Sequence, residues 1–156
     1  MDSDDRTLYE AKMDIAYAAE LHRRHVQFYR YLAGICTYLT LAASAVAAML
    51  TASEPLASAA LAVFVVLLNM LVVTVHPETK AASHADLRRR WLELQATVNE
   101  RDLPEVEKQI AMLDAVDTHT IRSLEIPAYN ANLRRHGHDA DCRPPTVMQR
   151  LMNRLS

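Results

Sequence analysis

Tyr31–Ser53 reads YLAGICTYLTLAASAVAAMLTAS; a single Glu54 follows, and Pro55–Val75 then reads PLASAALAVFVVLLNMLVVTV. The first run holds 23 consecutive uncharged residues and the second 21. At 1.5 Å rise per helical residue, either length crosses a hydrocarbon core of roughly 30 Å. Only Glu54 lies between them, and Pro55 suits the first turn of a helix, where its missing N–H is not needed. The pair therefore predicts a tight helical hairpin. All 17 Lys and Arg fall outside residues 31–76, as do all the acids except Glu54. Two glycines and six prolines in 156 residues argue against sheets, which spend glycine in their turns. The expected class is all-α: a helical integral membrane protein with a two-span transmembrane hairpin, an N-terminal amphipathic helical arm and C-terminal cytoplasmic helices.

Residues 1–30 form the expected arm. From residue 5 onward Leu8, Ile15, Ala18, Leu21, His22, Val26 and Tyr29 recur at spacings of three, four and seven, the stripe of an amphipathic helix. No Gly or Pro interrupts the join to residues 31–76, the hairpin. Orientation follows from the basic residues flanking the spans. Arg23, Arg24 and Arg30 precede the first, Lys80, Arg88, Arg89 and Arg90 follow the second, and the tip has none. These seven are candidate lipid-headgroup anchors, and both termini are expected in the cytoplasm. The acidic start MDSDDRTLYE precedes any apolar run, the wrong order for a secretory signal peptide. Cys36 and Cys142 lie about a hundred residues apart and fit neither a disulfide framework nor a CxxC metal motif.

Residues 77–137 are expected to be a cytoplasmic helical region. Leu87, Trp91, Leu94 and Val98 share one face. Asp102, Pro104 and Glu105 read as a helix start, with Val106, Ile110, Leu113 and Leu124 continuing the stripe until Pro127 breaks it. IPAYNANLRRHG then reads as a short helix ending at Gly137. Residues 138–156 supply a linker, HDADCRPP, and a short basic amphipathic tail with Val147, Leu151 and Leu155 on one side.

In the first span Ala33, Thr37, Thr40, Ser44, Ala47 or Ala48, and Thr51 recur every three or four residues as a stripe of small and weakly polar side chains. Such stripes let helices approach closely in lipid, and hydroxyls can also line a water path. Thr37, Thr40, Ser44, Thr51 and the carboxamide Asn69 are therefore candidates for pore lining or interhelical bonding. His22 and His25 stand i and i+3 in HRRH, without a Cys or carboxylate in the next turn to complete a metal site. His136, His138, Asp141 and Cys142, with Asp139 among them, are ligand types in a string that reads mainly as a solvated loop, so no metal or other cofactor is expected. The chain lacks GxSxG, P-loop, GxGxxG and HExxH signatures and is not expected to be an enzyme. A formal charge of −2 gives no basic excess for nucleic acid.

The arm HRRHVQFYRYL running into the first span, the closely spaced second span, HADLRRRWLELQ directly after it, and a tail with Pro127, Asn130 or Asn132 and Gly137 together resemble the SLATT domains, the SMODS- and SLOG-associated two-transmembrane effectors of bacterial conflict systems. The likeness covers about residues 15–137. It implies a membrane effector that homo-oligomerises and permeabilises the bacterial inner membrane in an anti-phage response, its partner being a separate sensor or nucleotide-signalling protein. Two other readings stand beside it. One is a membrane-anchored helical scaffold or adaptor without a pore; the other is a soluble helical bundle.

Overall fold

The computed structural model describes residues 7–116 and 120–156, so the first six residues of the expected arm lie outside the described residues. Every regular element among the described residues is helical. Helix α1 runs Leu8–Leu50, α2 Pro55–Val75, α3 Pro77–Thr97, α4 Leu103–Asp114, α5 Arg122–Arg135 and α6 Val147–Arg154, with single 3-10 turns at Val98–Glu100 and Asp139–Asp141. Two of these helices, α1 and α2, are long and apolar enough to cross a membrane. The arm and first span are one helix of 43 residues, as the absence of Gly and Pro at their join predicts.

The chain divides into two compact units: Tyr29–Lys80, and the residues up to Phe28 together with Ala81–Ser156. In the first unit, α1 and α2 lean on each other along two matched faces. Tyr29, Ala33, Cys36, Thr40, Ala43, Ala47 and Leu50 run along the shielded face of α1 with Leu32 beside them, and Ser58, Leu61, Val65, Leu68, Val72 and Val75 along that of α2. Both sets alternate steps of three and four, the period with which two helices keep a seam. At the tip the Glu54 N–H donates to Leu50 O at 2.8 Å, and the Ser58 and Thr51 hydroxyls both donate to Ala47 O, at 2.9 and 3.0 Å. His76 ends α2 in the left-handed region, φ 49°, its N–H donating to Val72 O, and the buried Pro77 starts α3 at once. Proline pre-sets the backbone angle of a first helical turn, so α3 can begin directly at the end of α2.

The second unit has its own core. Ala11, Ile15 and Ala19 of α1 meet Leu87, Trp91 and Leu94 of α3, Val98 of the following turn, and Val106 and Ile110 of α4. A smaller cluster joins Leu21 to Leu124 and Ala128 of α5, with Tyr17, Phe28, Ile121 and Met152 against it. The helix ends follow local chemistry. Asp102 Oδ1 accepts from Glu105 N–H at 3.3 Å, and Thr146 and Gln149 form a reciprocal capping box at the start of α6. At the end of α5, Gly137 adopts φ +80° while its N–H reaches Arg134 O and that of His138 reaches Leu133 O, a Schellman motif. Pro127 does not break the stripe as expected. It lies inside α5, where the lost N–H costs one ladder bond to Ser123 O while Leu124, Pro127 and Ala128 are all buried.

Candidate functional site

The hairpin unit leaves most of its apolar surface uncovered. No residue of α2 is buried; Leu56 is 84% exposed and Val73 66%. A core helix of a water-soluble protein hides such side chains. Of the stripe, Thr40 lies on the half-covered inner face of α1, whereas Thr37 and Ser44, and Thr51 just past the helix end, follow one another at seven-residue intervals at exposed positions. Asn69 is exposed, and its Nδ2 donates to Val65 O of its own helix at 3.0 Å; Thr74 does the same to Met70 O at 2.8 Å. Polar groups that satisfy themselves on their own backbone are compatible with a surface that water does not wet.

The basic residues separate into two kinds. Lys80 is exposed, with its Nζ over the Tyr29 ring at 5.6 Å. Arg30 is exposed, and Arg89 and Arg90 carry ion pairs to Asp86 at 2.7 and 2.8 Å on the solvated face of α3; Arg88 is half-buried. Arg23 and Arg24 instead converge on the buried Glu20, with N–O distances of 2.7 and 3.0 Å. Arg24 is itself buried and donates through Nη1 to Asn153 Oδ1 at 2.6 Å, fastening α6 to α1. Burial works against the Glu20 charge, but the hydrogen bond from Arg23 and the positive charges of Arg23, Arg24 and Arg135 outweigh it and hold the carboxyl below its ordinary value. Tyr17 moves the other way, pushed up to about 12 by burial and by Glu125.

The tail candidates do not converge. His136 Nδ1 bonds Asn132 O at 3.0 Å, His138 Nε2 bonds the Tyr9 hydroxyl at 2.9 Å, and Cys142 lies 3.8 Å from Asn130 O. Asp141 lies 3.8 Å from His138 Nδ1. No group of three or more metal-type side chains assembles among the described residues. The linker is held otherwise: Asn130 gives Nδ2–H to Arg143 O at 2.7 Å and accepts Arg143 N–H at 2.9 Å.

A histidine cluster that sequence reading did not assemble sits in the second unit. His22, His25 and His84 are all buried. The Nδ1 atoms of His22 and His84 face each other at 2.9 Å, and the His25 ring stacks on that of His84 with centroids 4.4 Å apart. His25 donates from Nδ1 to Leu21 O and accepts Ile121 N–H at Nε2, both at 2.8 Å, which fixes it as a neutral ring. The signal was present: His84 precedes Leu87, Trp91 and Leu94 by three, seven and ten residues, so it belongs to their buried face. Compared with protein-family models, curated proteins and solved structures, the chain matches none.

Proposed function

We propose that the chain is a two-span membrane effector whose hairpins assemble and permeabilise a bacterial inner membrane, with both termini in the cytoplasm. The observation that carries the membrane part is the uncovered length of α2, without one buried residue, beside a second unit that buries its own core. Lipid is the solvent that removes this cost, at about 25 cal/mol for each Å² taken from water. A soluble bundle would need α2 covered. The assembly part rests on the exposed positions Thr37, Ser44 and Thr51, which offer small side chains for close helix contact and hydroxyls for a water path. A separate sensor or signalling protein acting on the cytoplasmic helices supplies the trigger.

The test is dye release from liposomes containing the purified protein, with crosslinking on the same sample. Leakage accompanied by a discrete oligomer, both reduced by Thr37→Leu with Ser44→Leu, is the expected result. Liposomes that stay tight with that protein monomeric would remove the pore. A second reading is favoured by the independent core of the second unit: the hairpin tethers a helical scaffold. In that case the double substitution leaves cellular function intact and removal of residues 83–136 abolishes it.

A further inference from the structure

The hairpin unit carries an open groove of about 490 Å³ where the first span begins. Arg30 and Glu78 stand at its charged end, and Gly34, Thr37, Tyr38 and Leu41 carry it on along α1. Both charged residues are exposed, and among the described residues neither has an ion pair, with each other or with a third side chain. Arg30 comes directly before the uncharged run of the first span, and Glu78 three residues after that of the second. In the membrane reading, on which this inference rests, the two therefore share one headgroup level. From Arg30 to Leu41 the helix rises about 16 Å, half of a core of roughly 30 Å, so the groove follows one leaflet from headgroup to chain end. Gly34 lies between. It is a glycine inside a helix, where glycine is disfavoured, and a methyl group built on it meets nothing within 4 Å. No other part of the chain takes up the space it leaves.

We propose that this groove binds one phosphatidylethanolamine molecule, with its phosphate on Arg30, its ammonium on Glu78 and one acyl chain laid over Gly34 against Tyr38 and Leu41. The charges select the headgroup. A planar guanidinium meets phosphate oxygens with paired N–H donors, and a primary ammonium brings three N–H donors to a carboxylate that only accepts. A zwitterion of this kind satisfies both residues at once, and hydrogen bonds between ionised groups are the strong ones. Phosphatidylcholine carries the same charges but has no N–H to give, and its methyl groups hold the cation away from Glu78. Phosphatidylglycerol offers the phosphate alone, which leaves Glu78 unpaired and repelling it. Arg30 by itself would accept any lipid phosphate, so the discrimination lies in Glu78. The missing side chain at Gly34 lets the acyl chain approach the helix backbone, where dispersion contacts accumulate along its length.

The experiment uses the full chain, delipidated in detergent, in native mass spectrometry with phosphatidylethanolamine, phosphatidylcholine and phosphatidylglycerol of identical acyl chains. One bound phosphatidylethanolamine, retained about fivefold better than either other lipid, is expected. Arg30→Gln should weaken retention of phosphatidylethanolamine and phosphatidylglycerol alike, whereas Glu78→Gln should weaken the first and strengthen the second. Gly34→Leu fills the groove without altering either charge, and should lower phosphatidylethanolamine retention about fivefold in protein of unchanged circular dichroism. Equal retention of the three lipids by the wild-type chain would overturn the proposal, as would a preference that none of these substitutions moves. So would a crosslink between two Gly34→Cys chains in phosphatidylethanolamine vesicles, which would assign the groove to a second copy. Flotation with vesicles of each lipid separates the two levels of failure. Protein that floats with none overturns the membrane reading and the lipid site together, while protein that floats with all three and shows no preference overturns the lipid site alone.

Discussion

Glu20 shows how packing can bury a charge that helical periodicity alone leaves in water. As a helical residue on the charged face of the arm it belongs with the solvated positions, yet it is buried under Arg23, Arg24 and Arg135. The guanidinium heads of Arg23 and Arg24 turn inward onto the carboxylate, and Arg24 is buried with it. Its carboxyl titrates below the ordinary value in the folded chain, so the stabilisation it gives is complete above the unfolded value, near pH 4.3, and is lost as pH falls through the folded one. Glu20→Gln should therefore lower stability by about 2 kcal/mol at pH 7, less than for a fully enclosed pair because Arg23 and Arg135 reach solvent. The difference between wild type and variant should shrink below about pH 4, which denaturant melts between pH 3 and 7 would measure. An unchanging difference across that range would show that the arginines do not hold the carboxylate. His84 teaches the complementary lesson. Its apolar-face position was legible, but its partner lies 62 residues away in sequence, beyond the reach of local spacing.

Among the elements, the helix start at Asp102 and the stop at Gly137 were legible because each depends on a few adjacent residues. Pro127 was misread because its cost is local and its compensation is not: Leu124 and Ala128, fully buried beside it, carry α5 through the missing bond. Gly137 offers the cleaner test. A methyl group built there meets nothing within 4 Å, so only its φ of +80° resists a side chain. Gly137→Ala should cost about 1 kcal/mol, and Gly137→Asn less, since asparagine tolerates that region better. Equal stability of all three proteins in thermal melts would mean that the Schellman end does not persist in solution.

For the whole molecule, the apolar runs announced an all-helical chain with two helices of spanning length, and the structure has them. The sequence could not show that residues up to Phe28 and Ala81–Ser156 share a unit, because the contacts joining them, such as Ile15 with Trp91, bridge the entire hairpin. The proposed topology makes a direct prediction. In intact spheroplasts a membrane-impermeant thiol reagent should label Glu54→Cys at the tip and leave Cys142 untouched until lysis. Labelling of Cys142 in intact cells would reverse the orientation.

The four residues Thr51–Glu54 between α1 and α2 carry one more consequence. In the proposed topology the tip points outward, and the face it would present to the environment is a short turn with a lone carboxylate. An antibody, a phage tail protein or an external protease would find almost no epitope to grip. Whatever sets this protein in motion would then have to come from inside the cell, and screens for its stimulus belong with cytoplasmic extracts.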